Sequence, residues 1–169
     1  MATSVKPAPT DSSGYTLDTH PVKVFDLNRY LGKWYEIARF DHHFEKDLVG
    51  VTAEYSLLPD GKVRVINSGY KDSLDGPYKS TEGKAKIPDP SNPAHLEVSF
   101  FMWFYSDYNI MELDPDYRYA LVGSDTDKYL WILSRTPQLP NDSLNRLLDQ
   151  ATRRGYDVGK LIWVAQKEE

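Results

Sequence analysis

The sequence predicts an all-β protein: an eight-stranded antiparallel up-and-down barrel, with one C-terminal α-helix packed outside and a short final strand. Three observations predict it. Short runs rich in Val, Ile, Tyr, Phe and Trp recur from Val22 onward, broken by turn signals at Asp60-Gly61, Asp75-Gly76 and Pro88-Asp89-Pro90. Several runs alternate, Val63 and Val65 against Lys62 and Arg64, or Leu96, Val98 and Phe100 against His95, Glu97 and Ser99. One stretch alone has clear helical spacing. Eight strands in consecutive order close most economically into a barrel, which removes sheet edges and encloses room for a small ligand.

The elements follow in order. Residues 1–21 are small, polar and Pro-bearing, without periodicity, and read as a flexible N-terminal tether before a single domain over 22–169. Strands are expected over Trp34–Phe44, Val51–Leu58, Lys62–Tyr70, Tyr78–Ile87, His95–Phe101, Asp107–Leu113, Tyr117–Gly123 and Lys128–Ser134. Leu144, Leu147, Leu148 and Ala151 then recur at three- and four-residue steps, giving a helix with one apolar stripe. Asn141 caps its start and Gly155 takes the left-handed position at its end. The stripe should lie against the barrel, and a short strand, Lys160–Val164, should follow.

Composition excludes several functions. With 169 residues the chain holds one ordinary domain, and 40% hydrophobic residues suffice for a real core. A net charge of -5 argues against nucleic acid as a partner. No apolar run is long enough for a membrane-spanning helix. The absence of cysteine removes thiol nucleophiles, Cys-ligated zinc and disulfides. The chain has no G-x-S-x-G elbow, no glycine-rich phosphate loop and no H-E-x-x-H, so no enzyme chemistry, cofactor or metal is expected. His42, His43, Glu45 and Asp47 lie close in sequence, but adjacent side chains on a strand point to opposite faces, and a solvated loop is the expectation there. Asp114 with Asp116, and Asp125 with Asp127, read as turn chemistry. Asn141-Asp142-Ser143 matches a glycosylation sequon but coincides with the helix cap. The run Phe100-Phe101-Met102-Trp103-Phe104-Tyr105 is too apolar for one face of a strand, so part of it is expected either at a rim, against a membrane surface or in a homodimer contact, or folded over as a plug of the core.

Asp26-Leu27-Asn28-Arg29-Tyr30-Leu31-Gly32-Lys33-Trp34-Tyr35-Glu36 resembles the lipocalin signature, a short helical turn running into G-x-W on the first strand. Leu113-Asp114-Pro115-Asp116-Tyr117 is similar to a second lipocalin block, and Leu130-Trp131-Ile132-Leu133-Ser134-Arg135 to a third. Val98-Ser99-Phe100-Phe101, Thr136-Pro137 and Ile162-Trp163-Val164 resemble the bacterial outer-membrane branch of that family most, and the apolipoprotein D and plant temperature-induced branches more distantly. The resemblance covers about Val22 to Val164.

The resemblance implies a calyx closed at one end that binds and carries or stores a lipophilic ligand. It also implies a structural signature of Gly32, Trp34, Asp116, Tyr117 and Arg135, with Arg135 packed across Trp34 at the closed end. A guanidinium over an indole gains a cation–π contact, so both are structural. A parent at the cell envelope is implied, an outer-membrane lipoprotein facing the periplasm; this chain, lacking the cysteine that would be lipidated, is expected to be soluble. With Trp34 inward, alternation puts Glu36, Ala38 and Phe40 on its face. The rest of the expected ligand wall is Ala53, Tyr55, Val65, Asn67, Leu96, Val98, Phe100, Tyr108, Ile110, Leu121, Gly123, Tyr129 and Trp131. An apolar wall with a few hydroxyls suits a fatty acid or lysophospholipid; a pigment, haem or other conjugated ring is the alternative ligand class.

Overall fold

The computed structural model describes residues 16–101 and 104–167, with the backbone alone at 101, 104 and 105. The apolar run expected at the rim, from Phe101 to Tyr105, therefore lies outside the described residues as far as its side chains are concerned.

A four-residue helix, α1 (Leu27–Tyr30), leads into β1 (Gly32–Phe40). Seven strands follow: β2 (Leu48–Leu57), β3 (Val63–Lys71), β4 (Tyr78–Lys86), β5 (His95–Phe101), β6 (Phe104–Leu113), β7 (Tyr119–Gly123) and β8 (Leu130–Ser134). Each is antiparallel to the next, and β8 returns to β1 with Tyr35 opposite Ser134, closing the barrel. Helix α2 (Asn141–Arg153) and β9 (Leu161–Trp163) complete the chain. The expected fold class is the observed one.

β1 serves two neighbours on one side. Its first half pairs with β2, Gly32 opposite Tyr55. Its second half pairs with β9, Ala38 opposite Trp163. The C-terminal segment fills the seam where β1 leaves β2: Gly50 N–H donates to Ala165 O, and Gln166 Nε2 donates to Glu36 O and Val51 O.

Two apolar clusters separate inside from outside. One joins Trp34, Tyr55, Val65, Leu96, Ile110, Ala120, Val122 and Leu133, the inner faces of the strands. The other joins Met111, Leu121, Leu130 and Ile132 to Leu147 and Ala151 of α2, which places it on the outer face. The helix stripe packs inward as its spacing requires.

The helix ends differ from expectation at one end only. Pro140 stands at the cap position and Asn141 is the first helical residue, so Asn141 does not cap. A proline fits there because a first-turn N–H would have no helical partner in any case. At the other end Gly155 adopts φ +101, with Gly155 N–H on Thr152 O and Tyr156 N–H on Ala151 O. A Cβ there would also sit 2.4 Å from Thr16 O, so both turn and packing require glycine.

That contact shifts the expected domain boundary. Leu17 is 2% exposed and belongs to the outer cluster, and Asp18 N–H donates to Arg154 O. Arg154 also donates to the carbonyls of Asp18, His20 and Met111 and to Glu112. Among the described residues, packing therefore reaches Leu17, ahead of Val22.

Candidate binding site inside the barrel

The closed end is built from α1 and the start of β1. Trp34 is fully buried and its Nε1–H donates to Tyr30 O at 2.8 Å. Arg135 lies 3.9 Å over its ring and donates to the carbonyls of Tyr117, Lys33 and Arg29. One guanidinium therefore ties three segments across the end of the barrel. Gly32, at φ +100, lets β1 begin beside it. Tyr117, also left-handed at φ 58, accepts Asp26 N–H on its hydroxyl. The organising carboxylate of that turn is Asp114, which accepts from Asp116 N–H, Arg118 N–H and the Arg118 guanidinium. Asp116 contributes a backbone donor, so the signature role expected of it belongs to Asp114. Asp114 is held below the usual carboxylate range chiefly by its Arg118 hydrogen bond.

Above Trp34 the interior turns polar in two places. Tyr108 joins Tyr30 at 2.6 Å and Tyr55 at 2.8 Å through their hydroxyls. Burial pushes all three phenols above their ordinary range, so they act as neutral hydrogen-bonding groups.

The second polar place was not legible as a site. Glu36 and Arg39, 2% and 1% exposed, lie inside β1, and the loop after it folds His42 and Glu45 back over them. Trp131 Nε1–H and His42 Nε2 both meet Glu45 Oε1, at 3.0 and 2.9 Å. Arg39 Nη1 is 3.7 Å from Glu45 Oε2 and 3.7 Å from Glu36 Oε2, and its Nη2 donates to Glu45 O. Burial drives the Glu36 carboxyl well above its ordinary value, and the adjacent Glu45 carboxylate adds to this. Glu36 therefore favours its protonated form beside the Glu45 carboxylate. Burial opposes ionisation of Glu45 too, but the neighbouring Glu36 carboxyl and the hydrogen bonds from His42 and Trp131 carry it down to about 2. Both Glu36 carboxyl oxygens, Arg39 Nε, His42 Nδ1 and Glu45 Oε2 are buried without a hydrogen-bond partner. His42 and Glu45 thus form an inward plug over Arg39, while Asp41, His43, Phe44, Lys46 and Asp47 are exposed as expected of a solvated loop.

The expected wall residues fall on both sides of the barrel. Ala53, Tyr55, Val65, Leu96, Val98, Phe100, Tyr108, Ile110 and Trp131 belong to the inner cluster. Asn67 lies opposite Ala53 and is half-buried; Tyr129 stacks on Trp131 at 5.7 Å. Four expectations are corrected. Ala38 and Phe40 belong to the outer cluster, because a bulge between Glu36 and Ala38 shifts the phase of β1. Arg39, opposite Trp131, takes the inner position. Leu121 is also outer, opposite Ile132, and Gly123 faces Tyr156 and Met111, where a Cβ would lie 2.8 Å from the Tyr156 hydroxyl. Ala120 and Val122 are the inner residues of β7. All five residues of β7 are buried, so its sequence carries no alternation to read.

Outside the barrel, His95, Asp107 and Asp125 bring potential ligand atoms within 4.8 Å of one another. Asp125 accepts from Asn109 Nδ2, whose oxygen meets His95 Nδ1. Asp125 therefore bonds across strands rather than within its own turn.

The sequence matches the family profile of the lipocalin-like domain over residues 25–166. It is 51% identical over 160 residues to the outer membrane lipoprotein Blc of Escherichia coli K12, covering 94% of this chain and 87% of that one. Temperature-induced lipocalin-1 of Arabidopsis thaliana is 39% identical over 156 residues, covering 87% and 82%. The solved structure of insecticyanin from the tobacco hornworm Manduca sexta superposes with a TM-score of 0.72 at 22% identity, over 96% of this chain and 89% of that one, a likeness of fold. No described helix is long and apolar enough to cross a membrane.

Proposed function

The chain belongs to the lipocalin-like family, whose members bind small hydrophobic ligands, and from that premise we propose that it is a non-enzymatic carrier or store of fatty acids or lysophospholipids at the cell envelope. One observation carries the reading. Leu96, Val98, Phe100, Ile110 and Trp131 form an apolar inner face interrupted by the Tyr55 and Tyr108 hydroxyls and the Glu36 to Glu45 cluster. An acyl chain gains about 0.8 kcal/mol per buried methylene on such a wall, and the polar groups meet its head. The names of the bacterial relatives support the envelope. The apolar run from Phe101 to Tyr105 supports a membrane-surface contact or a homodimer at the rim.

The ring-ligand alternative gains one observation. His42, expected in solvent, packs edge-on against Tyr129 and Trp131, 5.3 and 5.7 Å away, and its Nδ1 is unpaired. Titration of the delipidated protein with a fluorescent fatty acid distinguishes the two. The carrier reading expects saturable binding at micromolar or better affinity, competition by oleate or lysophospholipid, and weaker binding by Trp131→Ala. Absent binding by the folded protein overturns it, and a visible absorbance band on adding haem or a pigment favours the ring.

A further inference from the structure

The Glu36 to Glu45 cluster has the form of an anion site that is already filled. Three groups converge on the Glu45 carboxylate: the Trp131 indole N–H, His42 Nε2 and the Arg39 guanidinium. Glu45 comes from the loop between β1 and β2, while two of the three groups that hold it, Arg39 and Trp131, belong to the barrel wall. We propose that these groups are a head-group subsite for a carboxylate-bearing lipid, and that Glu45 occupies it as an internal competitor when the barrel carries no anionic ligand.

Three features support the assignment. Charge-assisted donors around a desolvated oxygen are what an acid head group requires, and they lie beside the apolar wall that would take its chain. The cluster is left incomplete by Glu45: both Glu36 oxygens, Arg39 Nε, His42 Nδ1 and Glu45 Oε2 remain buried without partners, a cost a better-fitting occupant would reduce. The loop also has a second attachment, since Arg39 Nη2 holds the main-chain carbonyls of Glu45 and Leu48. The carboxylate can therefore leave while the backbone stays docked. The inference rests on the carrier reading above and assigns the class of ligand that the site prefers.

The test compares a fluorescent fatty acid with its methyl ester, on delipidated wild type and Glu45→Ala. Removing the competitor should raise the ratio of acid to ester affinity about tenfold, the equivalent of one charge-assisted hydrogen bond regained. Should Glu45→Ala fail to fold, Glu45→Gln, which drops the competing charge at constant shape, must move the ratio in the same direction. An unchanged or lowered ratio while the ester still binds overturns the subsite and leaves the carrier reading intact. Binding of neither probe by either protein overturns both.

Discussion

Arg135 and Trp34 show how much of the barrel's closed end depends on single side chains. The guanidinium covers the indole and bonds three main-chain carbonyls from three segments. Trp34→Ala removes a wholly buried ring and should cost roughly 3–5 kcal/mol in urea unfolding. Arg135→Ala should cost less, about 1–3 kcal/mol, because water reaches part of the freed carbonyls. Arg135→Lys should not restore the loss, since an ammonium cannot reproduce the planar fork. An unchanged midpoint for Trp34→Ala would remove Trp34 from the closed end. Both residues were legible because the Gly32-Lys33-Trp34 and Ser134-Arg135 runs resemble family motifs. Asp114 was not singled out over Asp116, since two aspartates around one proline look alike until the turn shows which one faces the amides. Glu36 was legible as inward by parity with Trp34. Its meaning was not, because the partners of a buried carboxyl arrive from a loop and from β8.

The misplaced wall residues lie on two strands where alternation fails. β3 and β5 show a clear period of two, and their inner residues fell where expected. β1 changes phase at a bulge and β7 is apolar throughout, and these are the strands whose residues were misplaced. Between elements, β5, β6 and the β7–β8 loop meet in a polar contact with a pH signature. Burial raises the Asp107 carboxyl to about 6; the hydrogen-bonded Asp125 carboxylate adds to the effect and His95 opposes it. Asp107 thus holds its proton more tightly folded than unfolded. Its contribution to stability is full below its ordinary value of 3.8 and is lost as pH rises towards about 6. Asp107→Asn keeps a donor towards Asp125 without a titrating proton. The melting temperature of wild type relative to Asp107→Asn should therefore fall across that window and level off above it. A difference independent of pH would mean that the two carboxylates share no proton.

Across the whole molecule, closure couples each strand to two neighbours. β8 is bonded to β1, β9 and the C-terminal segment seal the seam beside β2, and Arg154 ties the N-terminal approach to the end of α2. No strand of such a barrel can detach without breaking two neighbours, so ordering inside it is felt throughout. Topology of this kind was readable from strand count and spacing alone, whereas the seam and the inward plug depend on segments distant in sequence. A ligand seated on the inner faces of β3, β5, β6 and β8 binds the folded chain and has no site on the unfolded one. At a free concentration of one hundred times its Kd it should add about 2.7 kcal/mol of stability. For a domain of this length that corresponds to a rise in Tm of roughly 5–10 °C. Calorimetry of the delipidated protein with oleate or a lysophospholipid should show one cooperative transition that moves upward whole. A midpoint that stays in place at saturating ligand would contradict binding to the native barrel. A scan in which only part of the amplitude moves would contradict the closed barrel as the unit that responds.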